Sequence, residues 1–267
     1  MTVSNDCLTI LQLTDLHLMS QPEGTLLGVN TARYFQAVLA KALSDHPQVD
    51  VLLLTGDLVQ DITADSYRYL LACLEPLGIA CLCLPGNHDD VGLMTAILAG
   101  GKIRSDKQAL FDKWQLICLN SQIIGANGGH LDAQELAWLD HCLQSHPQHH
   151  ALIAVHHHCV PARSAWMDTM MIDNSDAFLA IVGQHAKTKL IVNGHVHQVM
   201  DEMRGYIRIL ATPSTCFQFT PLSAAFGVDD TAPGYRVIKL FADGNIDTAV
   251  VRLPGSIEGL DLSDKGY

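Results

Sequence analysis

The sequence has no C-x-x-C pair, no apolar run long enough to cross a bilayer and no excess of positive charge. Each absence removes a class of function. The eight cysteines (Cys7, Cys73, Cys81, Cys83, Cys118, Cys142, Cys159 and Cys216) lie mostly inside apolar segments, where cysteine behaves as a small buried hydrophobe. In a chain of 267 residues this argues against a disulfide scaffold and for a reducing, cytoplasmic setting. No basic region followed by a long apolar stretch opens the chain, so no secretory signal is expected. With no segment of membrane-spanning length, no membrane partner is expected either. Only 16 Lys and Arg stand against 28 Asp and Glu, for a net charge of −12. That disfavours a nucleic acid polymer as partner, because polyphosphate backbones call for basic patches. It leaves room for one small anion held by metal ions. Internal repeats and low-complexity tracts are missing as well.

What is present is a 48% hydrophobic chain with apolar segments that end in polar residues of one kind. Val51 to Leu54 runs into Thr55-Gly56-Asp57, a buried strand that stops abruptly. Leu8 to Thr14 runs into Asp15-Leu16-His17. Ile79 to Leu84 runs into Pro85-Gly86-Asn87-His88-Asp89. Ala151 to Val155 ends in His156-His157-His158, and Leu190 to Asn193 ends in Gly194-His195-Val196-His197. The carboxyl ends of strands are where open α/β sheets place their chemistry.

Between these strands, helical spacing predicts a helix from Asn30 to about Ser44, a second over Ala64 to Glu75 and a short one over Val91 to Leu98. Asp132 and Glu135 have capping-box spacing and start a further helix, and another spans Ser175 to Gln184. Trp114 to Leu119, Tyr206 to Ala211, Tyr235 to Phe241 and Ile246 to Leu253 read as strands, the last two joined at Asp243-Gly244-Asn245. Helices alternate with strands and then strands dominate, which predicts one α/β domain with two sheets over residues 1–254. Residues 255–267 are polar and acidic, a flexible tail.

Taken singly, each ligand-like residue has a plain structural reading as a turn or a cap. Taken together, Asp15, His17, Asp57, Asn87, His156, His195 and His197 form an oxygen-and-nitrogen donor set without thiolates. Such a set suits Fe²⁺, Mn²⁺ or Zn²⁺. It is too large for one open site and fits two ions sharing the Asp57 carboxylate.

Asp15-x-His17, Gly56-Asp57, Gly86-Asn87-His88-Asp89, His156 and Gly194-His195-x-His197 together resemble the signature of the metallophosphoesterase (calcineurin-like phosphoesterase) superfamily. Leu27-Gly28-Val29-Asn30-Thr31, the His156 triplet, Ala211 to Cys216 with Gln218-Phe219, and Ala232 to Tyr235 resemble its branch of bacterial class III cyclic nucleotide phosphodiesterases. The resemblance implies a four-layer α-β-β-α sandwich with two mixed sheets and a dinuclear centre at the strand ends. It implies Asp15, His17 and His197 on one ion, Asn87, His156 and His195 on the other, and Asp57 between them. It implies a hydroxide shared by the ions as nucleophile, and His88 beside the substrate's phosphate and leaving oxygen rather than on a metal. The expected substrate is cyclic AMP and the product 5′-AMP; other phosphodiesters, such as glycerophosphodiesters or 2′,3′-cyclic nucleotides, are the alternative on the same scaffold. Asn87 would touch substrate too. His157 is expected at the pocket rim, and Trp166 or Phe219 against the adenine ring, from the aromatic and Met content of their segments. A homodimer is compatible with all of this.

Overall fold

The computed structural model describes residues 7–263 and 266. In chain order the elements are β1 (Cys7–Leu13), α1 (Thr31–Asp45), β2 (Val51–Thr55), α2 (Ala64–Leu74), β3 (Ala80–Leu84), α3 (Val91–Ile97), β4 (Ile103–Arg104), β5 (Gln108–Leu110) and β6 (Trp114–Cys118). There follow α4 (Ala133–Ser145), β7 (His150–Ala154), α5 (Ser175–Val182), β8 (Thr188–Asn193), β9 (Met200–Arg204), β10 (Ile207–Ala211), β11 (Gln218–Phe219), β12 (Val228–Asp229), β13 (Gly234–Phe241) and β14 (Ile246–Arg252). One six-stranded sheet has the order β14-β13-β1-β2-β3-β4 and the other β5-β6-β7-β8-β10-β9. Both are mixed. β1 to β4 are parallel with β13 antiparallel to β1, and β6, β7, β8 and β10 are parallel with β5 and β9 antiparallel at the edges.

Side-chain alternation along the strands builds the layers. On β2, Val51 and Leu53 enter a core between the sheets with Leu116, Leu152, Leu190 and Leu210, while Leu52 and Leu54 face the helices. There they meet Phe35, Val38 and Leu39 of α1 and Tyr67, Leu70 and Leu74 of α2. On the other side Ile153 and Ile191 pack against Leu139 and Leu143 of α4 and Phe178 and Val182 of α5. Strands buried on both faces read as continuous apolar runs, which is why the sequence shows them so clearly. Four layers, α-β-β-α, result, as expected from the sequence.

The expected caps form. Asn30 Oδ1 accepts from the Arg33 amide at 2.7 Å, and Asp132 Oδ1 accepts from the Gln134 and Glu135 amides at 2.8 Å each. Glu135 does not close a capping box. Its carboxylate turns instead to Lys107 Nζ at 2.5 Å. β4, β5, β9, β11 and β12 were not anticipated: four are only two or three residues long, and β9 (Met-Asp-Glu-Met-Arg) is a polar edge strand without an apolar run. The loose tail expected from residue 255 needs correction over part of its length. Ile257 is buried beside Leu27 and Tyr34, the Glu258 amide donates to Tyr34 Oη at 2.6 Å, and the Asp261 amide donates to the Leu27 carbonyl at 3.0 Å. Residues 264, 265 and 267 of that tail lie outside the described residues.

Candidate metal centre

All seven expected ligand residues stand just beyond the carboxyl ends of β1, β2, β3, β7 and β8. The chain there turns sharply. Asp15 (φ 52°), His17 (47°), Asp57 (48°), His195 (65°) and His197 (47°) are in the left-handed region, five of the eight such non-glycine residues among those described. Each costs on the order of 1–2 kcal/mol, so backbone strain is concentrated at these ligand positions. Cross-turn hydrogen bonds hold it in place: the Asp15 amide donates to the Gly56 carbonyl at 3.0 Å, the His17 amide to the Asp57 carbonyl at 2.9 Å and the His195 amide to the Asp15 carboxylate at 3.0 Å. At Gly86 a Cβ would lie 2.2 Å from Asp57 Oδ1, so only glycine lets these two turns meet.

The donor atoms converge. Asp57 Oδ2 lies 3.3 Å from His156 Nε2 and 3.7 Å from His17 Nε2, between two groups of ligands. Asp15 Oδ1 is 3.4 Å from His197 Nε2, and Asn87 Oδ1 is 3.2 Å from His156 Nε2. The other ring nitrogen of three histidines is taken by an oxygen acceptor: His17 Nδ1 by Gln60 Oε1 (2.9 Å), His156 Nδ1 by the Thr55 carbonyl (2.8 Å) and His197 Nδ1 by the Phe217 carbonyl (2.8 Å). A proton donated from Nδ1 leaves Nε2 as a bare lone pair in the neutral ring. His17 and His197 then aim two such lone pairs at each other across 3.3 Å, an arrangement that calls for a cation between them. His195 Nε2 is buried without a hydrogen-bond partner among the described residues. The donor set therefore fits divalent metal ions on this protein's own geometry.

Electrostatics agree. Burial pushes His17 down to about 3, against the pull of Asp57, and it holds His195 well below the usual imidazole range, helped by His157 and His156. Both are neutral, as ligands must be. Burial acts in the same sense on His156, but the Asp57 carboxylate outweighs it and holds that imidazole up at about 9. Asp57 stays well below the usual carboxylate range, because the charges of His156 and other imidazoles overcome its burial. A divalent ion would take over the neutralisation of Asp57 and displace the His156 proton.

His88 is half-buried beside this cluster. Its amide donates to Asp57 Oδ1 at 2.9 Å, and its ring meets His17 edge-on at 5.0 Å between centroids. A ring nitrogen also lies within 4.8 Å of donor atoms of His17 and Asp57, so its position is compatible with either chemistry or ligation. A cavity of about 490 Å³ opens on Asp57, Asn87, His88 and His195 and continues to Trp166 and Phe219. Phe219 stacks on His197 at 4.2 Å and meets Trp166 edge-on at 5.1 Å. His157 is placed otherwise than expected. It is fully buried, with Nδ1 2.8 Å from Ser121 Oγ and Nε2 3.2 Å from the Asn127 carbonyl, and a ring nitrogen within 4.8 Å of donor atoms of His156 and His195, so it stands within the buried cluster and not at the rim.

Several supporting residues escaped the sequence reading. Asp89 accepts from the amides of Gly86 (2.8 Å), Leu58 (3.1 Å) and Val59 (3.3 Å) and from Tyr67 Oη (3.0 Å), pinning the Asp57 turn to the Asn87–His88 turn. It stood in view as the last residue of Gly-Asn-His-Asp, without a role. Tyr67 lies within the second helix expected from the sequence, with nothing to mark it out, and Gln60 carried no signal.

Residues 8–199 match the calcineurin-like phosphoesterase family. The chain belongs to that family. Calcineurin-like phosphoesterases bind divalent metal ions in a dinuclear site, and the chain is a metal-dependent hydrolase. Among curated members it is 42% identical to the 3′,5′-cyclic adenosine monophosphate phosphodiesterase CpdA of Vibrio vulnificus, over 100% of this chain and 97% of that one. It is 38% identical to a 3′,5′-cyclic-nucleotide phosphodiesterase of Nostoc, over 94% of each. Among solved structures it resembles a dimetal phosphatase from Danio rerio, with a TM-score of 0.61 at 14% identity, covering 92% of this chain and 98% of that one. At that identity the likeness concerns the fold alone. The phosphoesterase carries no described helix long and apolar enough to cross a membrane.

Proposed function

We propose that the protein hydrolyses 3′,5′-cyclic AMP to 5′-AMP. One observation carries the reading: a single cavity joins the ligand cluster to an aromatic wall, so a phosphodiester and a nucleobase fit in it at once. The names of the full-length relatives support the same substrate. In this reading Asp15, His17 and His197 hold one ion, Asn87, His156 and His195 the other, and Asp57 is shared. Oxygen and imidazole donors without thiolate favour Fe²⁺ or Mn²⁺, with Zn²⁺ also accommodated. Bound there, the two ions would supply an activated water and neutralise charge on the phosphoryl oxygens.

The chain's own groups do the rest. The 3′ P–O bond breaks as water adds at phosphorus, and the departing 3′ oxygen needs a proton. His88 is the group at hand to give it, because its backbone is fixed on Asp57 while its ring faces the cavity. Asn87 turns its carboxamide oxygen toward the cluster, which leaves its neighbour free for substrate. Trp166 and Phe219 stack against adenine and shield that end from water. Free cysteines throughout the described residues and a nucleotide substrate support a cytoplasmic enzyme.

The test is a substrate panel on protein reconstituted separately with Fe²⁺, Mn²⁺ and Zn²⁺. Cyclic AMP should show the highest kcat/KM, and Asp57→Ala should lower bound metal from near two ions per chain and abolish turnover. Hydrolysis of 2′,3′-cyclic nucleotides or glycerophosphodiesters in preference to cyclic AMP would overturn the reading.

A further inference from the structure

Beyond the ligand cluster and His88, the cavity lining is largely apolar (Met167, Met170, Phe219 and Phe226 among it), with polar groups on Trp166, Thr169 and Asn127, of which the Trp166 indole N–H only donates and cannot accept from an amino group. A wall of that kind stacks any base. Apolar contact discriminates poorly between ligands of one shape, whereas a hydrogen-bonding group rejects a ligand that lacks its partner. The Thr169 hydroxyl is already committed, donating to the Trp166 carbonyl at 2.6 Å. The Asn127 carboxamide makes no hydrogen bond among the described residues.

The Asn127 backbone is held firmly. Its carbonyl accepts from His157 Nε2 at 3.2 Å, and the loop that carries it is clamped at its base. Ser121 Oγ sits on His157 Nδ1 at 2.8 Å. Gln122 Nε2 donates to the carbonyls of Gly86 (2.9 Å) and Asp89 (2.5 Å), the two ends of the turn that bears Asn87 and His88. Gly129 closes the loop against the His157 ring, where a Cβ would come within 2.6 Å. A free carboxamide on an anchored backbone is preorganised for recognition.

We infer that Asn127 is a specificity-determining residue that reads the 6-amino edge of the purine. The inference rests on the cyclic nucleotide reading above. Adenine presents an amino donor beside the N7 acceptor, which matches the oxygen and nitrogen of one carboxamide. Guanine presents two acceptors, O6 and N7, and leaves the carboxamide oxygen facing an oxygen.

The experiment compares cyclic AMP with the cyclic 3′,5′-monophosphate of purine riboside, which lacks the 6-amino group, and uses bis(p-nitrophenyl) phosphate as a substrate without a base. The wild-type enzyme should favour cyclic AMP by roughly 10- to 100-fold in kcat/KM. In Asn127→Ala that preference should fall to near unity through loss on cyclic AMP, and the ratio of cyclic AMP to aryl diester turnover should fall with it. Asn127→Asp, which keeps the acceptor and loses the donor, should lie between. A preference that survives unchanged in Asn127→Ala, or is absent from the wild type, overturns the assignment. Wild-type turnover of the aryl diester with neither cyclic nucleotide cleaved would overturn the substrate reading itself.

Discussion

Tyr67→Phe isolates the support beneath the centre without touching a ligand. Tyr67 is fully buried on α2, and phenylalanine fills the same space, so no cavity forms. What is lost is the hydroxyl. It donates to the Asp89 carboxylate at 3.0 Å and accepts from the Asp90 amide at 2.8 Å. A hydrogen bond to a buried charge contributes about 1.5–3 kcal/mol, and the Asp90 amide can turn to water, so the loss should be about 2–3 kcal/mol. For a chain of this size that is a fall in Tm of roughly 5–10 °C. The loss should also depend on pH. Burial, and then the charge of Asp57, pushes Asp89 up from 3.8 to about 7. Between those values the folded chain keeps a proton that the unfolded chain has released, so stability falls as pH rises through that window. Tyr67 holds Asp89 down; without it the window reaches above 7. Calorimetry of metal-free protein should therefore show a larger Tm difference at about pH 9 than at about pH 6. A variant as stable as its parent, or a difference that does not grow with pH, would contradict the role given to the Tyr67 hydroxyl.

His88→Asn should keep its metal, near two ions per chain, while cyclic AMP turnover falls roughly 10²- to 10⁴-fold. A nitrophenyl diester, whose leaving group needs no proton, should lose much less; loss of one ion with equal rate losses would make His88 a ligand. Metal affinity should rise with pH up to about 9, because the proton held by His156 beside Asp57 competes with the ion. Competition titrations with a chelator across that range measure it, and a flat profile would contradict the role given to His156.

Much of the centre was legible because buried parallel strands write themselves as apolar runs, and every ligand follows one directly. Val51 to Leu54 announces Asp57 in this way, and Leu190 to Val192 announces His195 and His197. His157 was misplaced because three consecutive histidines after β7 carry no sign of which faces the cluster; the fold sets that by packing Ser121 and the Asn127 carbonyl on its ring. Gln60 acts through His17, and Tyr67 and Asp89 through the turns after β2 and β3, yet each is locally an ordinary loop, core or turn residue. Their partners are distant in sequence, so no spacing reveals them. β9 was invisible for the opposite reason. A polar edge strand has no buried face to impose a pattern on its residues.

The place of β1 inside its sheet sets a timetable for synthesis. Every residue of the centre has been made once His197 is added, but β1 is still missing its second neighbour, β13, which ends at Phe241. At ~5–20 residues per second the ribosome needs roughly 2–9 s to cover that distance. Until then one edge of β1, a strand whose last five residues are all buried in the finished fold, has its backbone amides and carbonyls unpaired and open to wrong partners. Pairing across such a separation is also slow in its own right. The hairpin of β13 and β14 is thus the latch of the sandwich. The nascent chain holds a full set of metal-binding side chains before it has the scaffold that tells them where to stand.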